Sequence, residues 1–194
     1  MAAVCALRYD NSRRPIETKP SRLFFALWPD EGTRLELARW TEAFHELCGG
    51  RRMRAENLHI TLAFLGAIER ERFDDLIAAA STVRPQPLEL VLDQPGYWKH
   101  NKIAWLGASE VPAALDATVA DLRAALSAAG FRFDPKPFVA HITLLRDARA
   151  PREFPGLDPV RWQAGGFALI ASENDRSGPH YRMAAPLFGG AGTE

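Results

Sequence analysis

Two histidines occupy the same place in two copies of one tetrapeptide: His59-Ile-Thr-Leu62 and, 82 residues on, His141-Ile-Thr-Leu144. Each imidazole is followed two positions later by a hydroxyl, Thr61 or Thr143. Histidine titrates near pH ~6.5, so at neutral pH one ring serves as a free base while another carries a proton. Displacement at phosphorus needs a base for the attacking water, an acid for the leaving oxygen, and donors for the non-bridging oxygens. Two His-x-Thr units supply all of these, each acid–base group being worth about 10²–10⁴-fold. A strained cyclic phosphodiester suits such a pair, acting in line and without an activating metal.

A single His-x-Thr in a strand is ordinarily a hydrogen-bonded pair with no chemistry. Repetition of all four residues in similar surroundings favours function over that bland reading. A metal centre would need three or four ligands, and neither copy has a Cys, Asp or Glu close by. No metal and no cofactor is therefore expected.

The elements that must position these groups read as follows. Arg22 to Leu27 is a short apolar run suited to a buried strand. Asp30 caps a helix carrying Leu37, Trp40, Phe44 and Leu47 at helical spacing, and Gly49-Gly50 stops it. Arg51, Arg52 and Arg54 lie in a basic loop. Leu58 to Phe64 is a strand ended by Gly66, followed by a helix over about 68–83 with Phe73, Leu76, Ile77 and Ala80 on one face. Leu88 to Leu92 is a strand, and Tyr97-Trp98 pairs with Lys102 to Leu106 as a hairpin. A helix over about 111–129 buries Leu115, Val119, Leu122 and Leu126. A strand at about 139–145 holds the second motif, and a proline-rich loop leads to strands at 166–171 and 181–185. Short hairpins among helices point to an α+β fold with antiparallel or mixed sheets.

In a strand, residues i and i+2 share a face. Ile60, Leu62, Ile142 and Leu144 would face a core, leaving each histidine beside its threonine on the other side. With internal two-fold symmetry the two pairs would face each other across a cleft.

The chain has 194 residues, 47% hydrophobic, 25% charged and 10% aromatic, with 24 basic and 24 acidic side chains. That balance excludes a protein that coats nucleic acid by bulk charge, though not a local phosphate pocket. The two cysteines, Cys5 and Cys48, give neither a disulfide framework nor a ligand spacing, as expected of a reduced cytoplasmic protein. No apolar run approaches the roughly 20 residues of a membrane span. Residues 1–20 read as a flexible extension, 21–188 as one domain, and the glycine-rich 189–194 as a disordered tail. Nothing requires an oligomer, so a monomer is the default expectation.

Arg22-Leu-Phe-Phe-Ala-Leu27, Asn57-Leu-His-Ile-Thr-Leu-Ala-Phe-Leu-Gly66, Trp105-Leu-Gly107 and Pro137-Phe-Val-Ala-His-Ile-Thr-Leu-Leu-Arg-Asp147 together resemble the 2H phosphoesterase superfamily, in particular its bacterial RNA 2′,3′-cyclic phosphodiesterases, also called 2′-5′ RNA ligases. The resemblance covers about 21–187. It implies a two-lobed, pseudo-symmetric fold, with sheets facing a central groove and helices packed outside. The implied reaction opens a 2′,3′-cyclic phosphate on an RNA end, or on a small cyclic nucleotide, to a 2′-phosphate, with reversible 2′-5′ joining of RNA as a second activity. His59 would be the acid, His141 the base, Thr61 and Thr143 the holders of phosphate oxygens. Arg146 matches the family's phosphate-binding arginine, but regular alternation puts position 146 on the face opposite His141 unless the strand ends or bulges there. Relatives carry proline where this chain has Ala140, and a tyrosine near the position of Tyr181.

Aromatic side chains near the motifs, Phe138 first and then Phe24 or Phe25, are candidates for stacking on a terminal base. The run of Arg51, Arg52 and Arg54 could receive the RNA backbone. His45, His100 and His180 are given no role. Two alternatives stay open at this point. One is a related enzyme acting on another phosphodiester, such as ADP-ribose 1″,2″-cyclic phosphate. The other is a module that binds RNA or nucleotides without turnover.

Overall fold

The computed structural model describes residues 21–175 and 178–189. The expected extension (1–20), Cys5 within it, and all but the first residue of the expected tail lie outside these. In chain order the elements are β1 (Ser21–Leu27), α1 (Glu31–Cys48), β2 (Arg51–Arg52), β3 (Ile60–Ile68), α2 (Phe73–Ala80), β4 (Leu88–Leu92), β5 (Gln94–Trp98), β6 (Ile103–Gly107), α3 (Ala113–Ala128), β7 (His141–Arg146), β8 (Val160–Ala164), β9 (Phe167–Asp175) and β10 (Gly178–Phe188). The main sheet runs β10-β9-β1-β3-β7-β6-β5, with β2 added on β7, and β4 pairs with β8 in a separate two-stranded sheet. All the described pairings are antiparallel. The fold is α+β and two-lobed.

Each lobe is built on a strand-helix-strand unit. In the first, β1 leads through α1 to β3, its antiparallel neighbour. In the second, β6 leads through α3 to β7. The helices cross over: α1 packs against β7, and α3 against β3. Each motif strand is thus backed by the other lobe's helix.

Local chemistry explains the helix ends. The Asp30 carboxylate accepts from the Thr33 backbone N–H at 2.8 Å and the Thr33 hydroxyl at 3.0 Å, satisfying donors left free at a helix start. Gly49, at φ 59°, ends α1 and donates its N–H to the His45 carbonyl at 2.7 Å, a backbone angle that favours glycine. Leu37, Trp40, Phe44 and Cys48 are buried, whereas Leu47, expected on the same stripe, is exposed. The buried stripe turns to Cys48 at the last residue of the helix.

Several expected elements change. β3 does not stop at Gly66 but continues to Ile68, and Gly66 takes φ 74° at a bulge where Leu23 pairs with Gly66 and Phe24 with Phe64. The second helix is shorter than expected, because Ile68 belongs to β3 and a 3₁₀ turn at Arg70–Arg72 precedes α2. Within the expected proline-rich loop lies β8, whose Val160, Trp162 and Ala164 are buried in strict alternation with exposed neighbours. The basic loop contains a two-residue strand, β2, with Arg51 opposite Arg146. No helix among the described residues is long and apolar enough to cross a membrane.

Candidate active site

Both histidines are aimed by the same device. A 3₁₀ turn at Ala55–Asn57 brings the Asn57 carbonyl 2.6 Å from His59 Nδ1, and the Val139 carbonyl lies 2.8 Å from His141 Nδ1. A carbonyl only accepts, so each Nδ1 carries the proton and each Nε2 is left as the working atom. Ile60 pairs with Ile142 across the seam between the lobes. One step further along that antiparallel register, His59 is set toward Thr143 and Thr61 toward His141. The motifs therefore meet head to tail about a local two-fold axis.

Both motif strands then bulge at the same place. On β3, Thr61 pairs with Ala26 and Ala63 with Phe25, leaving Leu62 as the extra residue. On β7, Thr143 pairs with Trp105 and Leu145 with Ala104, leaving Leu144 extra. Leu62 and Ala63 are consecutively buried, as are Leu144 and Leu145. A bulge of one residue reverses the alternation. Phe64 and Arg146, which regular strands would point into the core side, instead line the cleft with the histidines. The phase problem for Arg146 is resolved by this bulge.

Aromatic rings surround each imidazole. His59 lies 4.8 Å from Phe24, 5.7 Å from Trp28 in a stacked arrangement, and 5.3 Å edge-on to Tyr181. His141 stands 4.5 Å from Trp98 and 6.3 Å from Trp105. Burial among these rings is the main reason the His59 pKa is pushed down to about 4. The Asn57 carbonyl works against that shift, while His141 and Arg146 add to it. The His141 pKa is also lowered, first by burial and then by Arg146, against the opposing pull of the Val139 carbonyl. Both rings are therefore neutral at pH 7, with Nε2 unprotonated. The Thr61 hydroxyl lies 3.1 Å from His59 Nε2 and donates to it. The Thr143 hydroxyl has no partner among the described residues.

The cleft, of about 490 Å³, is a size that takes a nucleotide-scale ligand. It brings together His59, Thr61, His141, Thr143 and Arg146. Phe138 is not among its lining residues; it is half-buried and packs against the main core. Phe25 is fully buried in that core, while Phe24 lines the cleft. The basic run divides: Arg51 lines the cleft, Arg52 pairs with Glu42 at 2.8 Å, and Arg54 meets His180. Sequence reasoning gave no role to Arg22, Phe64 or Trp98, all of which line the cleft. A clue to Arg22 and Phe24 was present, since they alternate along β1 on one face. Among the described residues no three His, Cys, Asp or Glu side chains are grouped to share a metal ion.

Comparison with known proteins adds to this geometry. The LigT-like phosphoesterase family matches the chain twice, over residues 27–105 and 106–181, with one His-Ile-Thr-Leu in each. The RNA 2′,3′-cyclic phosphodiesterase of Escherichia coli (strain K12) is 36% identical over 131 residues, which is 68% of this chain and 74% of that protein. The Thermus thermophilus protein of the same name is 31% identical over 172 residues, 84% of this chain and 87% of the relative. The crystal structure of E. coli LigT complexed with 3′-AMP superposes with a TM-score of 0.78 at 32% identity, covering 88% of this chain and 99% of that one.

Proposed function

The chain belongs to the LigT-like phosphoesterases of the 2H superfamily, and from that premise we propose that it opens the 2′,3′-cyclic phosphate of an RNA end or a nucleoside to a 2′-phosphate. In this reaction His141 Nε2 takes a proton from water as the oxygen attacks phosphorus. The P–O3′ bond breaks on the opposite side, and His59 Nε2–H delivers a proton to O3′. The Thr61 and Thr143 hydroxyls donate to the non-bridging oxygens, and Arg146 pairs with them through its planar guanidinium. A 5′-hydroxyl in place of water gives a 2′-5′ linkage by the same steps.

Rings that are neutral at pH 7 do not conflict with an acid role. The substrate brings a negative charge beside both imidazoles, and an opposite charge raises the pKa of a nearby histidine. The acid is charged as the substrate binds. The observation that carries the reading is the paired placement of two Nε2 atoms and two hydroxyls about one local two-fold axis, with Arg146 turned to the same cleft.

A panel of nucleoside 2′,3′-cyclic phosphates, a short RNA ending in a cyclic phosphate, and ADP-ribose 1″,2″-cyclic phosphate tests it, with the product phosphate located by phosphorus NMR. The expected product is the 2′-phosphate from the RNA-type substrates. A 3′-phosphate, binding without turnover, or turnover confined to the ADP-ribose compound would contradict it.

A further inference from the structure

The cleft carries more positive charge than a single cyclic phosphate needs. Its lining includes Arg22, Arg51 and Arg146 and no carboxylate, in a chain whose basic and acidic side chains balance overall at 24 to 24. A cyclic phosphodiester has one negative charge, and Arg146 beside the second motif answers it. Arg51 has Asp147 at 3.9 Å. Arg22 has neither a hydrogen bond nor an ion pair among the described residues.

Arg22 is nevertheless held. Its guanidinium lies 5.3 Å from the centroid of the Phe64 ring, and Phe64 follows the β3 bulge just as Arg146 follows the β7 bulge. Where the second lobe puts an arginine on the motif strand, the first puts a ring, on which the neighbouring strand lays an arginine. A guanidinium on an aromatic face keeps its charge and its donors while losing part of its freedom. It is directed by that support without being neutralised.

Its distance from the chemistry indicates what it binds. Ala26 is the Cα partner of Thr61, and Arg22 lies four residues back along β1, roughly 13 Å at ~3.3 Å per residue. Lying over Phe64, the guanidinium is set to one side of a phosphorus held between the threonines. We infer that Arg22 binds a second phosphate, the phosphodiester on the 5′ side of the terminal nucleoside, so that the cleft selects an oligonucleotide end over a mononucleotide. This rests on the RNA-end reading above and names the residue that enforces it.

The test uses inert product-type ligands, so that binding is read apart from turnover. Calorimetry would compare adenosine 2′-phosphate, adenylyl-adenosine 2′-phosphate, and the latter with a neutral methylphosphonate linkage. The wild-type protein should bind the charged dinucleotide about tenfold more tightly than the mononucleotide, and the neutral linkage should remove most of that gain. Arg22→Gln should remove the same gain, leave mononucleotide affinity within about twofold, and weaken the salt dependence of charged-dinucleotide binding. Phe64→Leu, which keeps the charge and removes its support, should fall between. Equal weakening of both ligands by Arg22→Gln, or an undiminished dinucleotide preference in that variant, would overturn the inference. Failure to hydrolyse any cyclic phosphate would instead strike the proposed reaction, with the binding preference still deciding the role of Arg22.

Discussion

Ile60 and Ile142, the second residues of the two His-Ile-Thr-Leu copies, face each other across the seam between the lobes: among the described residues theirs is the one Cα pair joining β3 to β7. Both side chains are fully buried. The pairing of the two motifs thus depends on a hydrophobic contact directly beneath it.

Truncation at either position should therefore cost stability and alignment together. Ile60→Ala and Ile142→Ala are each expected to lose about 2–5 kcal/mol. Because the residues are partners, the double variant should depart from the sum of the singles by at least about 0.5 kcal/mol. Urea denaturation of the four proteins measures this, and strict additivity would show that the seam does not couple them.

The lowered histidine pKa values predict an acid-shifted activity profile. The quantity kcat/KM reports the free enzyme, in which His59 titrates at about 4 and His141 also below its ordinary value. The maximum of kcat/KM should lie below pH ~6.5, and the alkaline limb of kcat should lie higher, since the bound anion raises the acid's pKa. Arg146 lowers both histidines, so Arg146→Gln should move the limbs upward as it weakens binding. A kcat/KM optimum above pH 7 would contradict the electrostatics described.

The same shift has a stability consequence. Below pH ~6.5 the unfolded chain protonates the histidine at position 59 before the folded chain does, so acid favours unfolding between about 6.5 and 4. His59→Gln removes this penalty. Relative to wild type, the variant should gain up to about 3 kcal/mol between pH 7 and pH 4 in chemical denaturation. An unchanged difference between the two pH values would mean that His59 is not desolvated.

Acid and base can be told apart by the leaving group. In a 2′,3′-cyclic phosphate with sulfur in place of O3′, the thiolate leaves without needing a proton. His59→Ala should recover at least about tenfold on this analogue relative to the oxygen substrate, matching the acid–base contribution it has lost. His141→Ala should not recover. The opposite pattern would exchange their roles.

Much of this site was legible from the letters, and the reasons are local. The repeated tetrapeptide fixes which side chains share a strand face, and Asp30 and Gly49 mark the ends of α1 through backbone chemistry that needs no tertiary information. What alternation misses is its own interruption. Leu62-Ala63 and Leu144-Leu145 break the polar–apolar rhythm directly after each motif threonine, and that doublet is the trace in the sequence of the bulges that turn Phe64 and Arg146 into the cleft. β8 shows a clean two-residue period at Val160, Trp162 and Ala164, obscured by the prolines before it. Phe138 and Trp98 illustrate the remaining limit: both lie near a motif histidine, one in sequence and the other across a hairpin. Pairing of β5 with β6 and of β6 with β7 brings Trp98 to His141, whereas the neighbour in sequence packs into the core.

Phosphodiester hydrolysis by His59 and His141 without a metal is the core of the proposed reaction. Its most direct measurement is turnover of an RNA-terminal 2′,3′-cyclic phosphate in EDTA by wild type, His59→Ala and His141→Ala, with folding monitored by circular dichroism. Wild type should keep full activity in the chelator, and each folded variant should lose at least about 10²-fold. Loss of wild-type activity in EDTA with recovery on added zinc, or a folded single variant that keeps its rate, would contradict it.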